Sequence, residues 1–394
     1  MLTLLVLANI CYLYGTSFRQ HTRLKALDIL VVDLDGGYLG DDLAQAAQSA
    51  SQLNSFPTVH IGEGSAFPDP STIRRAVCHA DYWAAVYLDQ NASSEAVRAI
   101  MYTYNQARYP TMADSVLLPS IQTLIGMTKE SFYRSPRGIE AFSSLNASDP
   151  NALATLLHPV RERANLIQPT QQTSRIFHNT VNTVVPPLTQ FFFVMALNGI
   201  GLSTGQLASV RIRDVWLLRF CVGKAYALIS SLAMTGWIWG FREEWDVGGV
   251  RFAKTWMVLW FCMDTQWQVM ESIVGSFLPM EYTPFFVFTW VITNVASSVF
   301  PLEIMPSFYK VGYVLPMRST YSLLVQVWSG CANEMHISLT VPFVWWAVGH
   351  IVTVFSVLKR CVDAEKVSIR SVTSSSTTDT ETDAAGENLR EKNS

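Results

Sequence analysis

Charge is scarce in this chain. Lys, Arg, Asp and Glu make up 15% of its 394 residues, against about a quarter in ordinary soluble domains. The net charge is −3, so no global positive field points to nucleic acid. No G-x-x-x-x-G-K-[ST] loop occurs, which excludes a nucleotide-binding P-loop carried by the chain itself. The six cysteines are scattered and the seven histidines show no paired spacing. That excludes the common zinc and redox motifs and leaves no cofactor to expect.

Apolar residues, by contrast, make up 49%, with 12 Trp, 21 Phe and 13 Met. Most charges lie before residue 180 or after 358. This asymmetry predicts a membrane protein with a polar domain at one end. Apolar runs near 184–204, 214–240, 253–278, 283–301 and 340–358 are each long enough to cross a bilayer. The N-terminal run "MLTLLVLANICYLY" is shorter than the ~20 residues that a span needs. It lacks a basic leader and a clear small-x-small cleavage site. Tyr12 and Tyr14 sit where an interfacial aromatic belt would be. The run therefore reads as the far end of a first transmembrane helix, residues 1–18, rather than a signal peptide.

Residues 19–182 read as an α/β domain. "DILVVD", "PTVHIG", "YWAAVYLD" and "AIMYTYNQ" have strand patterns. "GDDLAQAAQSASQL", "DPSTIRRAVCHA" and "TMADSVLLPSIQTLIGMTKESFYRS" have helical ones, the last with Pro119 inside it. The fold expected is a six-helix transmembrane bundle with this α/β domain inserted between helices 1 and 2. Residues 183–362 hold the other five helices. Within them, about 302–337 is too broken by Pro, Gly and charge to span, and reads as re-entrant or interfacial. The tail, 363–394, is poor in apolar residues and is expected to be disordered.

Asn91 and Asn146 open the two glycosylation sequons, both in the α/β domain. Their use would put that domain outside the cytosol. Helix counting then leaves Arg211, Arg213, Arg219, Lys359 and Arg360 in the cytosol, as the positive-inside rule expects. Arg19, Arg23, Lys25, Arg242, Arg251 and Lys254 fall on the outer side and oppose it. Cys78 and Cys331 would both face the oxidising side, where a disulfide between them is one reading. Cys361, at the inner edge, is a candidate for palmitoylation.

"LDILVVDLDGGYLG", residues 27–40, resembles the opening of haloacid-dehalogenase phosphatases, a buried strand followed by two aspartates. That chemistry needs a distant lysine and a second carboxylate pair. The nearest pair, Asp41 and Asp42, opens the very next helix and cannot serve. The better reading is structural, with Asp33 and Asp35 capping a turn whose backbone angles Gly36 and Gly37 supply. No enzyme is expected.

Four stretches carry a wider resemblance: "LVVDLDGG", "NQARYPTMADS", "FTWVITNVASSVFPLEIMPSFYKVGYVLPMRSTYSLLVQVWSGC" and "VPFVWWAVG". Together they resemble the fungal nitrosoguanidine-resistance family of membrane proteins, up to about residue 362. That family's layout is similar to type-two ABC exporter permeases and to bacterial phage-infection/Pip proteins. The resemblance implies a plasma-membrane, permease-like protein in efflux or tolerance of toxic small molecules, or in lipid movement. It supplies no catalytic residues. The alternative is a non-transporting protein that binds or regulates through its outer domain. Membrane lipids, a second copy of the chain and a separate ATPase are the expected partners. "SVRIRDVW" (209–216) lies where an exporter permease would hold its coupling helix.

Within the fourth span, Asp264, Gln268 and Glu271 follow i, i+4, i+7 and share one helix face. A carboxylate at mid-bilayer costs about 2.5–3.5 kcal/mol, so these must face protein or water. They read either as a polar path for substrate or protons, or as a buried interhelical contact with Lys224. Asn294, Ser297 and Ser298 share a face suited to helix packing.

Overall fold

The computed structural model describes residues 2–90, 92, 98–143, 160–274, 276–331 and 335–391. Asn91 and Asn146 lie outside them. The elements run α1 (Leu2–Gly15), β1 (Asp28–Asp33), α2 (Tyr38–Ser51), β2 (Thr58–Gly62), α3 (Pro70–Cys78), β3 (Ala84–Leu88) and β4 (Arg98–Tyr104). Next come α4 (Leu118–Arg134), α5 (Pro136–Ser143), β5 (Val160–Ala164), α6 (Val181–Ser203), α7 (Ile212–Gly240) and α8 (Gly249–Ile273). The chain ends with α9 (Thr283–Val299), α10 (Pro316–Ser329) and α11 (Met335–Glu391). It divides into two compact units. The first comprises Met1–Val184, Met234–Val258 and Ile292–Val341, and the second Val185–Ala233, Leu259–Val291 and Pro342–Ser394.

In the first unit a five-stranded sheet has the order β2-β1-β3-β4-β5. β1 pairs parallel with β2 and β3, β4 runs antiparallel to β3, and β5 is parallel to β4. All of β3 and the centre of β1 are buried, as continuous apolar strands covered on both faces should be. With β1 between β2 and β3, right-handed crossovers put α2 and α3 on opposite faces. Leu30, Val32, Ala85 and Tyr87 point to the α3 face, where Ile73 and Val77 meet them. On the other face α2 packs against α4. Their contact includes buried Asp42, which accepts from Ser131 Oγ at 2.7 Å. Burial, set against that bond, pushes the Asp42 carboxyl up. Pro119 is tolerated because α4 begins only at Leu118, after a π turn over Ala113–Leu117.

Residues 302–331 form two 3₁₀ segments and α10. They are tied down by protein. Tyr321 Oη accepts from Tyr109 N at 2.8 Å and donates to Ala107 O at 3.2 Å. Tyr309 Oη donates to Tyr12 O at 2.6 Å. Cys331, just past α10, is disulfide-bonded to Cys78 at the end of α3, with Cα atoms 5.1 Å apart. Asn179 and Ser298 exchange hydrogen bonds, Nδ2 to O at 3.2 Å and Oγ to O at 3.0 Å. Asn294 Oδ1 accepts from Met317 N. The polar face of α9 is thus spent on packing in this unit.

Among its described residues the second unit is built from helices and their connections. α6, α7 and the Met335–Val367 part of α11 are long and apolar enough to cross a membrane. These three mark the chain as a membrane protein. Thr3–Gly15 and α9 are apolar but shorter. α8 has the length, but Arg251, Lys254, Asp264 and Glu271 dilute its hydropathy. α11 runs on to Glu391, into the segment for which composition predicts disorder. No proline interrupts its backbone ladder after Pro342.

Candidate functional site

The site is a pair of charged clusters in the second unit, both built on the polar face of α8. Asp264, Gln268 and Glu271 are all buried, Glu271 completely. The predicted face therefore turns toward protein.

Glu271 lies between two guanidiniums. Arg219 of α7 donates Nε to Oε1 at 2.6 Å and Nη2 to Oε2 at 2.8 Å. Arg360 of α11 donates Nη2 to Oε1 and to the Glu271 carbonyl, the latter at 3.2 Å. Asn198 of α6 joins the two arginines. Its Oδ1 accepts from Arg219 Nη2 at 2.8 Å and from Arg360 Nη1 at 2.7 Å. Two guanidiniums against one carboxylate leave this clamp with one unit of surplus positive charge.

About two turns back along α8, Asp264 Oδ2 accepts from Lys224 Nζ and from Trp346 Nε1, the latter at 2.6 Å. Lys224 Nζ also meets His350 Nε2 at 2.9 Å. An ammonium only donates, so His350 accepts at Nε2. Its Nδ1 then carries the proton and donates to Trp346 O at 2.8 Å. The result is a chain of exchangeable groups, Asp264–Lys224–His350. Gln268 stands between the clusters, where its Oε1 accepts from Thr353 Oγ1 at 3.0 Å.

The helices come this close because two glycines permit it. A Cβ on Gly349 of α11 would sit 2.5 Å from Gln268 Cβ, and one on Gly223 of α7 would sit 2.4 Å from the Trp267 ring.

Lys224 does pair with Asp264. Arg219, expected at the cytosolic edge of a span, and Arg360, expected in the cytosol past the last span, are both buried against Glu271. α7 already begins at Ile212, so Arg219 lies two turns inside it. The signal that could have found them is charge balance, because a buried carboxylate needs a cation within reach. Asn198, His350 and Trp346 carried no spacing signal. Cys361 is also buried, packed with Leu207, Val215 and Val357. Its thiol is therefore not exposed for palmitoylation.

At the opening turn, Asp33 Oδ1 accepts from Asp35 N at 2.9 Å and Gly36 N at 3.2 Å. Gly36 has the positive φ, +63°. Gly37 is extended at φ −102° and needs no glycine for its angles. Asp33 thus closes the turn. Its carboxylate leans on Gly40, where a Cβ would lie 1.8 Å from Oδ2. Among the described residues, no group of three or more His, Cys, Asp or Glu could hold a metal ion.

No solved structure matches the chain. Residues 1–351 match a family described as "Protein of unknown function (DUF3533)". That match spans most of the sequence, and the chain belongs to this family.

Proposed function

We propose that the chain is a permease-like integral membrane protein of the nitrosoguanidine-resistance type. It acts at the plasma membrane in efflux or tolerance of toxic small molecules, or in moving lipids. In this reading α1, α6, α7, α8, α9 and α11 make six spans, and the sheet domain is inserted outside the cytosol. The observation that carries it is the Asp264–Lys224–His350 chain beside the Arg219–Glu271–Arg360 clamp. Buried ion pairs are poor stabilisers compared with apolar packing. Ionisable groups in membrane helices usually mark a path for substrate or protons. The Cys78–Cys331 disulfide supports an oxidising environment for the sheet domain.

The chain has no P-loop, so transport would draw on a separate ATPase or on coupled protons. The deciding experiment is transport by the purified chain in liposomes, with and without a proton gradient. Wild-type chain should move an amphiphilic cationic dye or a labelled phospholipid, and Asp264→Asn should not. Equal movement by both would remove the charged chain from the mechanism. No movement by wild type under any gradient would favour the second reading. That reading is a binding or regulatory protein acting through its outer domain, and the disulfide-tied five-stranded sheet favours it.

A further inference from the structure

One end of the second unit carries a cavity of about 430 Å³. It is formed where α6 ends, where the 280 loop enters α9, and by residues 360–367 of α11. Its walls are apolar and include Leu202, Leu207, Met280 and Ala364, of which Leu202 and Met280 are exposed. Asn198 and Arg360 also line it, and both are more than nine-tenths buried. Each keeps an unused donor. Asn198 Nδ2 and Arg360 Nε have no hydrogen-bond partner among the described residues. Buried donors are rarely left unpaired. The Asn198 assignment is firm, because its Oδ1 already accepts from both arginines. The surplus positive charge of the clamp sits at the same place. Asp363 also lines the cavity, but its carboxylate is held by Lys359 at 3.0 Å.

We infer that this cavity binds the headgroup of an anionic phospholipid. The phosphate sits at the Asn198–Arg360 wall, against the surplus charge of the clamp, and an acyl chain lies along Leu202, Leu207 and Met280. A neutral or zwitterionic headgroup leaves the surplus charge uncompensated. A free phosphate ion meets the same charge but gains nothing from the apolar walls. The inference stands apart from transport, since it concerns equilibrium binding to the chain.

The test is native mass spectrometry of the full chain in a neutral detergent. The probes are dioleoyl phosphatidylglycerol, dioleoyl phosphatidylcholine and inorganic phosphate, each added alone. Wild type should retain phosphatidylglycerol at least about tenfold better than either of the others. Ala208→Trp fills the cavity from an exposed position outside the ion network. Leu202→Glu places a repelling carboxylate at the exposed rim. Both should lower phosphatidylglycerol retention about tenfold at unchanged melting temperature. Equal retention of phosphatidylcholine overturns the inference. So does phosphate binding as tightly as the lipid, or wild-type retention by both variants.

Discussion

Glu271 receives Arg219 through two parallel hydrogen bonds, 2.6 and 2.8 Å long, while Arg360 reaches the same carboxylate from another helix. The charge balance makes the three residues unequal. Glu271→Gln strands two buried guanidiniums, whereas Arg219→Gln leaves a neutral Arg360–Glu271 pair. Breaking a buried pair costs about 3–5 kcal/mol. Glu271→Gln should therefore lose roughly that much, and Arg219→Gln distinctly less. Thermal unfolding of the detergent-purified variants checks the order. Equal losses would mean that the geometry of the clamp matters and its net charge does not.

Gly349 faces Gln268 with no room for a side chain, since a Cβ would stand 2.5 Å from Gln268 Cβ. That neighbour is the root of a side chain on a packed helix and cannot swing aside. Gly349→Ala should then force α8 and α11 apart at a cost of about 1–3 kcal/mol, despite the better helix propensity of alanine. The same move should disturb the Gln268–Thr353 bond. A lowered melting temperature is the expected result. A gain, as propensity alone predicts, would show that the helices can separate freely.

How much of this was legible in the sequence differs by feature, for physical reasons. β1 and β3 show as apolar runs because their side chains are core, while β2 keeps a strand pattern with none of its residues buried. β5, "VRERA", has only Val160 buried, so no pattern announces it. The polar face of α8 follows from helical spacing alone. Its partners do not, because spacing within one helix says nothing about which neighbours approach it. Arg219 at a span's edge and Arg360 past the last span looked like ordinary cytosolic charges for that reason. Both cysteines of the disulfide fell on one predicted side, yet only the fold, which seats Cys331 in the cluster around Ile73 and Val77 of α3, brings their Cα atoms to 5.1 Å.

The Cys78–Cys331 bond closes a stretch of 253 residues. Chain-entropy arithmetic for a loop of that length gives about 5 kcal/mol. Cys331→Ser should lose a large part of that, and Cys78→Ser the same amount. The double variant should be no worse than either single one, since the singles already remove the whole cross-link. Melting temperatures under oxidising conditions compare the three. Reductant should bring wild type down to the level of the variants and leave the variants unmoved. A double variant markedly less stable than both singles would mean that the thiols have separate packing roles that outweigh the bond.

His178 lies between Trp245 and Trp328, with ring centroids 5.5 and 4.8 Å away. Burial, helped by the nearby Arg175 charge, pushes its pKa down to about 4. The unfolded chain, with an ordinary histidine, takes up a proton near pH 6.5. Between those values the unfolded state binds more protons, so stability rises with pH across that window. The contribution is complete above about pH 6.5, and it fades as the pH falls toward 4. His178→Phe keeps a ring between the two indoles and removes the titration. Its melting temperature should lose the part of the slope between pH 4 and 6.5 that wild type shows. If both proteins lose stability in parallel as the solution is acidified, the titrating group lies elsewhere and His178 serves only as a packed ring.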